Sequence, residues 1–224
     1  MTHLNAGTDL EAALQAVRPT ERQTHFIASA TREFLLPSDL AVLSALLADR
    51  HHLPLSRLYR HLFDSTHTTL HVVTPNYDRL AEYAADAADV SSFTGFNYGY
   101  LQSRARDPRT RITIRGRETR TVAIWKVYGS LDWFQDAAKQ IVGIRSAFAV
   151  PPDYAPLMIT PGIDKYRLTH GEPFRRSSGA AITRWRMPAH IFASAMASMT
   201  SMSRPSLSSA ATAIPRRASS SPRS

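Results

Sequence analysis

Leu70-His-Val-Val-Thr-Pro-Asn-Tyr-Asp-Arg-Leu80 decides the fold. It is a short apolar run that stops at Thr74-Pro-Asn-Tyr-Asp78 and resumes with helical spacing. A strand that ends in a turn carrying a hydroxyl, an amide and a carboxylate, and then enters a helix, is how an open α/β sheet builds a ligand crevice. A second such stretch lies downstream: Val122-Ala-Ile-Trp-Lys-Val-Tyr-Gly-Ser-Leu-Asp-Trp-Phe134.

Around these two stretches the pattern is mixed. Residues 8–63 read as helical. Thr8-Asp-Leu-Glu11 forms a capping-box pattern, Leu10, Ala13, Leu14 and Val17 follow at helix spacing, and Pro19 closes the element. A second helix is expected from Thr20 to Leu36, ending before Pro37. Ser38 or Asp39 then caps a third through Leu40, Leu43, Leu46 and Leu47. A fourth runs from Ser56 to Phe63 with Leu58, Leu62 and Phe63 inward. Leu70–Thr74 is a strand and Arg79–Ala88 a helix. Phe93–Tyr100 is a turn-rich aromatic loop. Arg111–Arg115 alternates as an edge strand. Thr121–Val127 is a buried strand, with Val122, Ile124 and Val127 inward. Leu157–Thr160 is another, ended by Pro161-Gly162. Strands joined by helical or loop insertions, with parallel connections, predict an α/β fold: a three-layer, Rossmann-like parallel sheet with a helical N-terminal part.

Charge excludes one class of function for the body of the chain. The 224 residues carry a formal net charge of +9. Residues 176–224 hold seven arginines and no acid, which leaves 20 basic and 18 acidic residues in 1–175. The body is nearly neutral, so a polyanion-binding claim rests on the tail alone. Arg216, Arg217 and Arg223 sit among serines without aromatic platforms, a weak nucleic-acid signal. From residue 176 on, 13 serines, 10 alanines and no hydrophobic period describe a disordered basic tail by composition. There is no cysteine, which removes disulfide and thiolate chemistry and fits the cytoplasm. The histidines, including His51, His52, His67 and His71, form no compact ligand pattern, so no metal is expected. No apolar run is long enough for a membrane helix.

The two stretches resemble sirtuin-like domains of the bacterial anti-phage defence type. The family's Thr-x-Asn-Tyr-Asp matches Thr74, Pro75, Asn76, Tyr77 and Asp78. Its Lys-(Leu/Val)-His-Gly-Ser matches Lys126, Val127, Tyr128, Gly129 and Ser130. Pro161-Gly-Ile-Asp-Lys-Tyr-Arg-Leu-Thr-His170 and Glu172-Pro-Phe-Arg175 resemble a third segment. The resemblance covers roughly 8–175, a partial sirtuin-like domain with a helical segment at 8–63 and an α/β part at 69–175. It implies NAD as cofactor and ligand, and cleavage of the nicotinamide–ribose bond by a glycohydrolase or an NAD-dependent deacylase. It implies that Asn76 places the ribose or the attacking water, that Asp78 borders the nicotinamide pocket, and that Thr74, Gly129 and Ser130 help to hold the cofactor. The alternative function is a non-catalytic interaction module of a defence system, in which the helices of 8–63 bind a defence partner or a second copy of the chain.

The same resemblance shows departures. The family's base is a histidine, and here that position is Tyr128. A phenol ionises near pH 10 and an imidazole near 6.5, so an ordinary tyrosine is about a thousandfold less available as a base, roughly 4 kcal/mol. Lys126 is the one nearby cation that could narrow the gap. On the plainest reading Asn76 and Asp78 cap the following helix and Tyr128 is a packed aromatic. The family's first strand and its Gly-rich phosphate loop, which cradles a pyrophosphate at a helix N-terminus, have no counterpart before Thr8. Ser194-Ala-Met-Ala-Ser-Met-Thr-Ser-Met202 can spell Ile-Gly-Tyr-Gly-Phe-Asn-Asp-Glu-His one base out of step. A frameshift just after Arg175 is therefore expected to have produced the tail. A sheet short of its first strand and a later one would expose edges and an open core.

Overall fold

The computed structural model describes residues 19–105, 112–145 and 150–159, and the strand at 190–192. All belong to the first of two units into which the chain divides, Met1–Ser194. The helix expected from Thr8, the third motif at 161–175, and the rest of the tail with its arginines and the 194–202 segment lie outside the described residues.

Thr20 opens helix α1, Glu21–Ala48. Its hydroxyl accepts from the Gln23 amide at 3.3 Å, and Gln23 Oε1 accepts from the Thr20 amide at 2.8 Å. Two helix donors are thereby satisfied reciprocally. The expected break at Pro37 does not occur: one helix runs through it. Proline cannot donate to the Glu33 carbonyl, at a cost of about 3 kcal/mol. Packing on either side offsets this. Before Pro37, Ala28 and Leu35 pack with Leu131 and Met158. After it, Val42, Leu43 and Leu46 pack with Tyr83 and Ala87.

Helix α2 is Pro54–Phe63, with proline in its first turn where no donor is lost. It turns Ser56, Tyr59 and Phe63 inward, and Leu58, expected inside, is 40% exposed. The helix starts two residues earlier than the pattern suggested, and its buried face runs through Ser56, Tyr59 and Phe63 at steps of three and four. Helix α3 is Leu80–Ala87.

The strands in chain order are β1 (Thr69–Thr74), β2 (Ser91–Phe93), β3 (Leu101–Ser103), β4 (Thr113–Ile114), β5 (Arg117–Glu118), β6 (Thr121–Lys126), β7 (Gly129–Gln135), β8 (Ile141–Ile144), β9 (Ala155–Met158) and β10 (His190–Phe192). They form a parallel sheet of order β10-β1-β6-β2, an antiparallel sheet of order β3-β8-β7-β9, and the separate hairpin β4-β5. The fold is thus mixed α/β with a parallel sheet at its centre. In the β1–β6 register Leu70 pairs with Val122, Val72 with Ile124 and Thr74 with Lys126. β6 is buried at all six positions, as a central parallel strand must be. Leu70, Val72, Val122 and Ile124 pack beneath Tyr59 and Phe63 of α2 and Ala81, Ala84 and Ala85 of α3. The alanines let α3 lie close to the sheet.

Several sequence expectations change here. Among the described residues helices cover one face of the parallel sheet. The other carries Phe93, Ala123 and Trp125 with Val73, Ala105 and Ile112 packed on them. The edge strand expected at Arg111–Arg115 is a two-residue strand paired only to β5; Ile112 packs inward and Ile114 is exposed. The strand expected at Leu157–Thr160 begins at Ala155 and lies antiparallel to β7, outside the parallel sheet. Val127 falls just past the end of β6. Within the stretch that composition marks as disordered, His190–Phe192 pairs in parallel with β1. A three-residue segment is invisible in averaged composition but suffices to pair with an open strand edge.

Gly129 joins the two sheets. Its φ is +104°, and a Cβ there would lie 2.3 Å from the Leu157 carbonyl oxygen and 2.9 Å from Met158 Cα. Both the conformation and the close approach of β9 demand glycine. Gly129→Ala should lower stability by at least about 2 kcal/mol. Gly116→Ala, at φ +76° with open space around it, should cost only about 1 kcal/mol. Urea unfolding midpoints of the two variants check the contrast, and equal losses would contradict it.

Candidate functional site

The residues singled out in sequence lie at the carboxyl ends of β1 and β6, neighbouring parallel strands. Pro75 ends β1 because it has no amide to donate. The Asn76 amide donates to Thr74 Oγ1 at 3.1 Å. Asp78 Oδ1 accepts from the Leu80 amide at 3.2 Å, the local contact expected of a capping residue. The Tyr77 hydroxyl donates to the Ile159 carbonyl at 2.5 Å. Burial first, and then the neighbouring Tyr128, push the Tyr77 hydroxyl up to about 12.

The second motif closes over the first. The Val127 amide donates to the Thr74 carbonyl at 3.1 Å, and the Leu131 amide to the Tyr77 carbonyl at 2.9 Å. Ser130 Oγ donates to the same carbonyl at 3.4 Å. Lys126 is fully buried and its Nζ donates to the Asp78 carbonyl. The structure therefore brings the Thr74–Asp78 turn and the Lys126–Leu131 segment together. Tyr128 packs among Phe96, Trp133 and Ile159, and its carbonyl accepts from the Ile159 amide at 2.8 Å. Asn76 is half-buried, and its side-chain amide makes no hydrogen bond among the described residues.

Beneath this turn lies a group of buried charges that sequence reading did not find. Asp39, expected as a helix cap, is 4% exposed. Its carboxylate accepts from the Arg79 amide at 2.8 Å, Arg79 Nε at 2.9 Å, Arg79 Nη2 at 2.6 Å and the Tyr83 hydroxyl at 2.6 Å. Burial works against the Arg79 charge, and Asp39 more than offsets it, so Arg79 holds its proton more tightly than usual. Burial and then the Asp39 hydrogen bond raise the Tyr83 hydroxyl. Lys126 Nζ lies 3.2 Å from Glu82 Oε1. Burial pushes the Glu82 carboxyl up to about 7 despite the opposing pull of Lys126, with Asp132 adding to the rise. Arg32 donates from Nε to the Leu131 carbonyl at 2.9 Å and stacks over the Phe134 ring. The signal available in sequence was Arg79-x-x-Glu82-Tyr83, polar residues at helix spacing where an apolar face was due.

Lys126 is engaged by Glu82 and by carbonyls of the β1–α3 turn, so its charge is directed at that turn. An open cavity of about 680 Å³ lies elsewhere, between α1 and residues 150–156, and none of Asn76, Asp78 or Tyr128 lines it. Among the described residues no three metal-ligating side chains converge, and no helix is long and apolar enough to cross a membrane. Compared with protein-family models and with curated proteins, the chain matches none.

For a dinucleotide the donor set fits in part. Asn76 and the second carboxylate oxygen of Asp78 suit ribose hydroxyls. Lys126 and Ser130 instead donate to the protein's own carbonyls, and no pyrophosphate cradle stands among the described residues.

Two outcomes test this electrostatic framework. Asp39→Ala strands the Arg79 charge and should cost about 3–5 kcal/mol in urea unfolding; a loss below about 1 kcal/mol contradicts the buried pair. Glu82 keeps a proton in the folded state that the unfolded chain releases between about pH 4.5 and 7. Its contribution therefore makes stability fall as pH rises through that window and level off above it. Glu82→Gln should flatten that part of the profile, and an unchanged slope contradicts the assignment.

Proposed function

We propose that this chain is a sirtuin-like, Rossmann-like nucleotide-binding domain of the NAD-hydrolysing type in which catalysis has been lost. One observation carries the reading. The Thr74–Asp78 turn and the Lys126–Leu131 segment, the two stretches that resemble the family, are hydrogen-bonded to each other at the carboxyl ends of adjacent parallel strands. That is where open α/β sheets take their ligands. The connection from β1 leads to β2 beyond β6, and β10, reached after β6, lies beyond β1. The two loops meet over the β1–β6 pair, where Val127, Ser130 and Leu131 donate to carbonyls of the Thr74–Asp78 turn.

In this reading Asn76 places the ribose of NAD or the attacking water and Asp78 borders the nicotinamide pocket, with Thr74, Gly129 and Ser130 shaping the turn beneath. Tyr128 stands at the base position and packs on Trp133 instead of activating a nucleophile. Binding is weak because no phosphate cradle accompanies the pair among the described residues. The domain acts in the cytoplasm within a defence system, as an NAD-sensing or inert relative of an active enzyme.

Purified protein incubated with NAD, with release of free nicotinamide followed by chromatography, tests this. The chain should release none above buffer, and Tyr128→His should raise turnover measurably. Asn76→Ala in the Tyr128→His background should abolish the gain. Robust cleavage by the unaltered chain contradicts the loss of catalysis. No NAD binding by either form, at millimolar ligand, contradicts the nucleotide site.

A further inference from the structure

Helix α1 is apolar on two opposite faces. The inward face, with Ala28, Leu35, Leu43 and Leu46, packs on α3 and the antiparallel sheet. Half a turn away, Phe26, Ala30, Phe34, Pro37, Ala41 and Ala48 recur at steps of four, four, three, four and seven residues. All six are exposed, Phe26 at 73% and Phe34 at 77%. Those steps draw one continuous stripe along the helix. A surface helix ordinarily turns charge outward there, and a helix that is apolar on both faces has two partners.

We propose that this stripe is a self-association surface, on which α1 packs antiparallel against α1 of a second copy of the chain. Size is the first argument. A phenylalanine ring carries roughly 200 Å², so the two rings expose roughly 300 Å², and the small residues extend the patch to about 500 Å². That lies at the upper end of what monomers leave in water. Two such patches together bury about 1,000 Å², the lower limit of a specific interface.

The order of large and small residues names the partner. With a two-fold axis between Leu35 and Leu36, Ala30 faces Ala41 of the second copy, and Phe34 faces its Pro37. Phe26 enters the space between its Ser44 and Ala48. Phe26 meets small residues, the two Phe34 rings lie about 4.5 Å apart along the axis and pair across the two-fold, and Ala30 with Ala41 permits the close approach of interlocking helices. A parallel pair would set Phe26 on Phe26 and Glu33 on Glu33. The antiparallel pair also places each helix N-terminus beside the opposite dipole end.

The chain contains no cysteine, so one introduced thiol reports its own position. Ala30→Cys and Ala41→Cys chains, purified separately, mixed and oxidised, should give a disulfide-linked dimer. Each alone should give little, because like positions lie about 16 Å apart along the antiparallel axis. Sedimentation of the unaltered chain should show a concentration-dependent dimer. Phe34→Glu should be monomeric with an unchanged unfolding midpoint at low protein concentration, since Phe34 is exposed in the single copy. A chain that stays monomeric overturns the proposal. So does cross-linking as strong in the single variants as in the mixture. A monomer in which the Leu10→Cys, Ala30→Cys double variant closes an internal disulfide assigns the stripe to the chain's own first segment and overturns it too.

Discussion

The carbonyls of Tyr77 and Asp78 must find donors after β1 has ended at Pro75, and the rest of the structure follows from where those donors come. They come from the neighbouring strand and its continuation: Lys126 from the end of β6, and Ser130 and Leu131 from the start of β7. A buried carbonyl without a partner costs of order 1–3 kcal/mol, so the turn cannot drift from the segment that supplies them. The lysine is fully buried and needs a counter-charge. Glu82, in the first turn of α3, lies 3.2 Å from it and draws negative charge toward it as the carboxyl ionises near neutral pH. Turn, strand and helix are held by one chain of contacts, and Gly129 is the point at which the backbone passes close enough to complete it.

Asp39 extends that chain to α1. Four donors converge on its carboxylate, all from Arg79 and Tyr83. Buried ion pairs contribute little net stability once desolvation is counted, but losing one partner is costly. The value of this pair lies in position. It sets α1 against α3 at one register and keeps the helix continuous across Pro37. The outer face of α1 is then fixed in place, and its aromatic stripe stands in solvent.

Elements whose residues satisfy themselves locally were legible in sequence. Leu70–Thr74 and Arg79–Ala88 carry their own periodicity, and the structure places them within a residue of the reading. Thr20 caps through a neighbour three residues on, a signal contained in four residues. Asp39 was misread for the opposite reason: its partners lie forty residues away, and an acid just after a proline looks like a cap. Leu157–Thr160 reads as a strand of the parallel sheet, but β9 lies antiparallel to β7, because strand direction is settled by Gly129 and β7 and not by the residues of the strand. The same logic governs the candidate site. The types of Asn76, Asp78 and Tyr128 were visible, but the burial of Lys126 against Glu82 was not, because it depends on α3 folding back over the sheet.

Asp78 and Tyr128 have structural duties whatever else they do, one accepting from the Leu80 amide and the other packing on an aromatic cluster. The proposed nucleotide site requires, in addition, that the two loops take one ligand together. Hydrogen exchange followed by mass spectrometry, with and without millimolar NAD, addresses that directly. Amides spanning 74–80 and 126–131 should slow together on ligand addition, while those of the β4–β5 hairpin stay unchanged. Protection confined to one of the two segments, or to neither, would contradict a shared crevice.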